Sequence, residues 1–534
     1  MKTFKYTYFI LTVYIICSVS ACSYNNLQPS EFDIESAGSN FVIETASKCH
    51  AIDGSVIVYK SGFSVINNTI MGEGERFFFN GKENNSFINR FMISSFPLDS
   101  IVAITLYEDY TGTRLIANGS LGAFGFAIGG ITIYCIACPK CCFGSCPTVY
   151  TSENNISLLE TELFSSSISR MLEDNDLDKL NQKVPDDGIY KLKITNEALE
   201  THYIDKFNLI AAEHPSGTKV YPNISKGLTI INRTVPVETA VNSEGEDILK
   251  EVAYEDTISY RSGMTMVNKL KNGPAYDRIE FTSAIPENGS NAKLLVRYRN
   301  TLLSTILFYD VVLGSQGIRA VEWIDKMNNN ETYAADFKMI YDNFSGMQFE
   351  IFVNGEWVEA EKFPDAGPIC WKQTAAEIPV SGMKELKCRI KFIPDNFMID
   401  YIGIEYGGYD ECSLKTDTVR LSEIKSLSGK STDNAFGLIQ NSDKQYLITN
   451  PGDSYTLIYK IKKTAESEQT LFISSRGYYN EWIRGSWIKN DPSAHIFNLY
   501  NINGNLRLVA ESWESNKTLI ESEFFNTRIP VKEK

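Results

Sequence analysis

The stretch FEIFVNGEWVEA, residues 349–360, holds the reading of the fold. It places Asn354-Gly355 between two runs rich in aromatic and β-branched residues. Both central residues of a type I′ turn need positive φ, and Asn-Gly is the dipeptide that tolerates this best, so the spacing predicts a tight β-hairpin. Downstream, ELKCRIKF (385–392) puts Leu386, Cys388, Ile390 and Phe392 on one face of a strand. NFMIDYIGIEY (396–406) then reads as a closing strand. Upstream, SQGIRAVEWIDKMNNNETYAADFKMIYDNF (315–344) is expected to be helical, an insertion on a β-sandwich of jelly-roll type spanning 275–410.

The same period of two extends outward in both directions. SVIVYKSGFSVINNTI (55–70) and DSIVAITLYEDY (99–110) predict an N-terminal β-domain over 41–114. Residues 151–274 read as a β-rich middle domain, with Tyr190, Leu192 and Ile194 alternating along one strand and a helical piece expected over LLETELFSSSISRMLEDNDLDKL (158–180). The tail, 411–534, including YTLIYKIKK and HIFNLYNINGNLRLVAESW, is expected to form a C-terminal β-domain. The predicted fold class is therefore mainly β and multidomain, with one apolar, Gly-rich helical segment. No fixed-period repeat is evident, which argues against solenoids and propellers.

Lys2 and Lys5 precede an apolar run from Phe9 to Cys17 and then small residues, the layout of a secretory signal peptide over 1–21. Val19-Ser20-Ala21-Cys22 resembles the lipobox of bacterial lipoproteins, which implies lipidation of Cys22 and a polar tether over 22–40. The chain has 534 residues and 43% hydrophobic content, enough for three or four packed domains. Its 66 acidic residues against 51 basic ones, a net charge of −15, argue against nucleic acid as a partner, because phosphate binding relies on clustered Lys and Arg.

Residues 115–138, LIANGSLGAFGFAIGGITIYCIAC, carry no charge. As a helix they would extend roughly 36 Å at about 1.5 Å per residue, enough to cross a bilayer core, and Gly125-x-x-x-Gly129 would let two helices approach closely in lipid. The competing reading is a buried helix or hairpin, since Asn118, Ser120 and Thr132 interrupt the run.

A cysteine cluster, CIACPKCCFGSCP (135–147), completes a 115–150 unit. Cys135, Cys138 and Cys141 match the first three positions of a ferredoxin-type run, but the fourth falls on Ser145, with Cys146 one place late. Cys135, Cys138, Cys141, Cys142 and Cys146 could also supply a tetrahedral zinc site. Export to an oxidising compartment favours pairing instead, and the preferred reading is a Cys142–Cys146 disulfide across a three-residue loop, with no metal and no cofactor.

The segments CPTVY (146–150), DDGIYKLKITNEALETHYIDKFNLIAAEHPSGTKVYPN (186–223) and EWVEAEKF with AGPICWKQTAAEIPV and FMIDYIGIEY resemble a group of uncharacterised exported lipoproteins of Bacteroidota and related bacteria. In that group an apolar segment precedes a C-P-x-x-Y motif and a C-terminal β-sandwich follows. The resemblance spans roughly 115–410 and implies no activity and no catalytic residues.

The four histidines, His50, His202, His214 and His495, form no close metal pair, and SGKST (428–432) fails as a P-loop because its first glycine position is Ile424. Asp395 with Asp400 could act as a carboxylate pair on a glycan. Trp357, Trp371, Trp482, Trp487 and Trp513, with Tyr478 and Tyr479, could stack on sugars or peptides, although most are expected in the core. The expected function is a lipid-anchored protein of the bacterial cell envelope, at the outer membrane, acting as a non-catalytic binding or assembly component. Its expected partners are the membrane, through Cys22 and residues 115–138, and an envelope protein or glycan. Alternatives are a glycan-binding or glycan-active protein, and a metal or redox protein built on the cysteine cluster.

Overall fold

A computed structural model describes residues 26–110, 146–482 and 502–526, with short interruptions inside these spans, the longest at 80–87, 264–275 and 315–322. Signal peptide, Cys22 and the 115–138 segment lie outside the described residues. Among those described, no helix is long and apolar enough to cross a membrane.

The chain is mainly β and built from several antiparallel sheets. The first is an eight-stranded sheet between Asn26–Glu31 and Ile101–Tyr110. Its core holds Ile43, Cys49, Ile57, Tyr59, Phe63, Val65, Ile70 and Ile104, all but the first two inward residues of the runs read as strands above. Its first strand falls within the expected tether and pairs from Asn26↔Tyr110 to Glu31↔Thr105.

Two sheets then face each other. One runs Ile156–Glu162, Thr148–Glu153, Ile189–Thr195, Ser454–Lys460, Leu421–Ser426. The other runs Asp174–Lys179, Glu468–Glu481, Glu200–His214, Lys415–Val419. Val149, Leu192 and Ile194 of the first and Phe207, Leu209 and Ile473 of the second share one core, so the pair forms a β-sandwich. Strands expected in two separate domains, 151–274 and 411–534, thus share both sheets.

The second sandwich lies inside that interruption. Val235–Pro236, Phe397–Tyr406, Asn291–Asn300 and Lys372–Pro379 form one sheet. Thr239–Val241, Asp277–Ala284, Glu385–Phe392, Gln348–Val353 and Glu356–Glu359 form the other. Leu386, Cys388, Ile390 and Phe392 all point into the core between them, as the alternation requires. The hairpin that anchors this reading is present, with φ of 52° at Asn354 and 90° at Gly355. Within the expected helical insertion, 315–344, the structure describes a helix over Glu331–Tyr341; a short helix, Leu303–Ile306, running into a π-turn over Leu307–Leu313, precedes that stretch.

Two expectations are corrected. Residues 158–180 are not helical: a strand over Ile156–Glu162 is followed by a 3₁₀ turn at Arg170–Leu172 and a strand at Asp174–Lys179. Phe164, at φ 37°, ends the first strand in a conformation no helix continues. Conversely, residues 502–526 of the tail form a 25-residue helix. Leu506, Ala510, Trp513, Ile520 and Phe524 are all buried, and their spacing of three, four or seven marks one helical face.

Candidate functional site

A cavity of about 310 Å³ opens between the two sandwiches. One wall is the Asp174–Lys179 strand, which sits at the edge of its sheet. Alternation places Asn175, Leu177 and Lys179 on the opposite side from the aspartates. Leu177 packs against Ala212, Val220, Ile230 and Phe472, and Lys179 Nζ rests 3.9 Å from the centroid of the Tyr221 ring. Asp174, Asp176 and Asp178 therefore share the other face, that of Lys226 and Lys372.

The opposite wall is the segment from Pro364 to Thr374, which leads into the Lys372–Pro379 strand. This segment is tied to its own sandwich before it meets the other. Asn300 Nδ2 donates to Asp365 Oδ1 at 2.9 Å, while Asn300 Oδ1 accepts from the amides of Ala366 at 2.7 Å and Gly367 at 3.1 Å. Tyr298 Oη donates to the Pro364 carbonyl at 2.8 Å and Arg299 donates to that of Pro368 at 2.7 Å. Across the junction, the Ile369 amide donates to Glu162 Oε2 at 2.7 Å.

Lys372 bridges the walls. Its Nζ donates to Asp176 Oδ2 at 3.1 Å and lies 2.5 Å from Asp178 Oδ1. Asp176 is held further by the amides of Phe164, 2.9 Å from Oδ2, and Leu177, 3.0 Å from Oδ1. Asp178 is 2% exposed, and its Oδ2 has no hydrogen-bond partner among the described residues. Burial, then the charge of Asp176, pushes the Asp178 carboxyl up to about 7 against the pull of Lys372. Burial works against the Lys372 ammonium, but Asp176 and Asp178 outweigh it and hold its pKa well above the ordinary value. The cluster so keeps a protonated lysine beside one carboxyl, Asp178, that holds its proton into the neutral range.

The other lining charges are mostly matched. Asp174 pairs with Lys226 at 2.5 Å, and Lys362 donates to the Asp342 carbonyl. Glu160 accepts from Thr151 Oγ1 at 2.8 Å and the Asn181 amide at 2.6 Å; burial nonetheless raises its pKa. Trp371 lines the cavity, with the Arg297 and Arg299 guanidinium carbons 4.8 and 5.3 Å from its ring centroid.

Of the described residues singled out in the sequence, Trp371 alone lines this cleft. Asp395 and Asp400 are fully buried and occupied elsewhere: Asp395 by Arg261, Lys517 and Trp513 Nε1, Asp400 by Arg297. Trp482 is buried and donates to Thr201 Oγ1 at 2.7 Å, and Tyr478 stacks on Tyr203 at 4.5 Å. Trp357 packs on Phe352 and Arg389. Among the histidines, His202 is buried 2.7 Å from Glu200 and His214 bridges Thr218 and Thr470, while His495 and Trp487 lie outside the described residues.

Cys135, Cys138, Cys141 and Cys142 also lie outside the described residues. Cys146, the expected partner of Cys142, is buried and carries a free thiol in this structure, with Sγ 3.8 Å from Tyr479 Oη. Burial first, then Glu162 and Glu200, raises that thiol well above its ordinary pKa. Among the described residues no group of three or more His, Cys, Asp or Glu is placed to hold a metal ion. The aspartate stripe is not among the sequence expectations because 158–180 is expected to be helical; the signal for it is the D-x-D-x-D spacing of 174–178, which is the period of a strand.

No family model matches the chain, and no curated protein matches it. Among solved structures, a GH31 alpha-xylosidase from Xanthomonas citri aligns over 84% of this chain and 38% of its own, at 6% identity and a TM-score of 0.17. An uncharacterised Listeria monocytogenes protein in complex with glucose aligns over 64% and 31%, at 9% identity and a TM-score of 0.16. An exo-beta-1,3-galactanase from Phanerochaete chrysosporium aligns over 69% and 82%, at 8% identity and a TM-score of 0.14. The chain spans roughly a third of the length of the first two, and at TM-scores this low none of the three bears on function.

Proposed function

We propose that the chain is a lipid-anchored protein of the bacterial cell envelope, at the outer membrane, that works as a non-catalytic binding component with the cleft between its sandwiches as the binding site. The observation that carries the reading is that cleft: about 310 Å³, at the small end of the range typical of small-molecule sites, with one wall on the Asp174–Lys179 strand and the other on the 364–374 segment that hydrogen bonds tie to its own sandwich. The anchor rests on the signal-peptide layout and on Cys22 behind Val19-Ser20-Ala21. Membrane contact would come from the acyl chain and from residues 115–138.

Radiolabelled palmitate should enter the wild type and not Cys22→Ala, and the labelled protein should fractionate with the outer membrane. A soluble, unlabelled wild type overturns the anchor. The rival reading, a glycan hydrolase, draws on the Asp176 and Asp178 carboxyls in the cleft. Digestion of envelope and plant polysaccharides by the purified protein would establish it and end the non-catalytic reading.

A further inference from the structure

The eight-stranded sheet brings together two strand ends that lead toward the membrane-directed parts of the sequence. Asn26, the first residue of its edge strand, pairs with Tyr110, the last residue of the neighbouring strand. Cys22 is four residues before Asn26, and the uncharged stretch 115–138 begins five residues after Tyr110. At about 3.5 Å per extended residue, both leave one corner of the sheet on tethers of at most roughly 14 and 18 Å.

The register places that corner at one end of the sheet. Tyr107 pairs with Ala46, Ser47 with Tyr59 and Tyr59 with Gly74, and residues 69–71 continue past Gly74 in the direction of the corner. There Phe41–Ile43, Phe63–Ile66 and residues 69–71 lie side by side, with Val42 opposite Ser64, Ser64 opposite Met71 and Ile66 opposite Thr69. Ile43, Phe63, Val65 and Ile70 fill the core, so Val42, Ile66 and Met71 share the outward face, where they are 67%, 54% and 43% exposed. Farther along that face Val56 and Val58 are buried in the core of the first sandwich, and the apolar three lie beyond the area it covers. Exposed Glu44 and Glu73 flank them, which favours insertion among acyl chains over attraction to anionic headgroups.

Resting on the reading of Cys22 as a lipid anchor, we propose that this end of the N-terminal sheet lies against the bilayer, with Val42, Ile66 and Met71 inserted among the lipids. The three are four to six strand positions from the anchored corner, roughly 20–30 Å at about 4.8 Å per strand. Two contacts so far apart restrain the sheet against tumbling on its anchor.

The test uses the full chain, purified in detergent and reconstituted into vesicles of phosphatidylcholine and phosphatidylethanolamine. A photoreactive p-benzoylphenylalanine replaces Val42, Ile66 or Met71 and, as controls, Met339 or Val358, which are exposed on the second sandwich and its insertion helix. On illumination the three patch positions should label lipid about fivefold or more above the controls, and Ile66→Asp with Met71→Asp should cut labelling from position 42 by a similar factor. Equal labelling at patch and control positions in palmitate-labelled protein overturns the surface and leaves the anchor standing. Crosslinks to a second copy of the chain in place of lipid overturn it in favour of self-association. A chain that takes up no palmitate yet labels lipid from 42, 66 and 71 overturns the anchor and keeps the surface; a chain that does neither overturns both.

Discussion

Lys372 Nζ lies 2.5 Å from Asp178 Oδ1, joining residues of two different sandwiches at a position that water scarcely reaches. The lysine side chain is 12% exposed and that of the aspartate 1%, so each charge depends on the other and on Asp176 for its solvation. Removing the one cation of this group leaves two neighbouring carboxyls uncompensated. Lys372→Met should therefore lower stability by about 3–5 kcal/mol at pH 8, read as a shift of the urea midpoint. Part of the loss should return at pH 5, where Asp178 is protonated. An unchanged midpoint at pH 8 would mean that the junction is not held by this cluster.

The raised carboxyl of Asp178 has its own signature. The folded chain keeps a proton that the unfolded chain, with a carboxyl near pH 4, has already released. In the window from about pH 4 to about pH 7 the native state binds more protons, so this group's contribution to stability is greatest below the window and is lost as pH rises through it. Asp178→Asn removes that slope. The variant should match the wild type near pH 4 and exceed it above pH 7 by on the order of 1–3 kcal/mol, in thermal melts run across the range.

Gly367 permits the two sandwiches to meet. A Cβ there would lie 2.6 Å from Glu162 Oε2 and 2.8 Å from Ser165 Oγ, and its φ of +81° is itself unfavourable for any residue with a side chain. Gly367→Ala should cost roughly 2–3 kcal/mol and displace the Ile369 to Glu162 hydrogen bond. Proteolysis at the Pro364–Trp371 segment should become faster, whereas Gly355→Ala, in the exposed hairpin with nothing near its Cβ, should leave that segment protected.

The helix Ile502–Asn526 is docked through Trp513, which is fully buried and donates from Nε1 to Asp395 Oδ2 at 2.7 Å. Asp395 also pairs with Arg261 and Lys517, and Arg261 reaches Glu521 on the same helix. Trp513→Ala should cost about 3–5 kcal/mol through lost packing and an exposed charge cluster. Trp513→Phe should keep most of the packing and lose about 1–2 kcal/mol with the hydrogen bond. Equal losses in the two variants would show that the indole N–H, rather than the ring, seats the helix.

The sequence by itself determined what depends on neighbours along the chain. A period of two over 385–392, positive φ at Asn354-Gly355 and the alternation of Tyr190, Leu192 and Ile194 are set by backbone sterics and by which side of a pleat is apolar, and each survives in the folded molecule. The helical period of Leu506, Ala510, Trp513, Ile520 and Phe524 was equally local but was masked by β-branched and aromatic neighbours upstream. Tertiary structure alone decided that strands on both sides of 235–406 close into one sandwich, because strand partners are chosen by complementary faces and not by distance in sequence. It also decided the cleft. Nothing near Asp178 in the chain announces a lysine nearly two hundred residues away, and only the docking of the two sandwiches excludes water enough to lift a carboxyl's pKa and leave one of its oxygens unbonded.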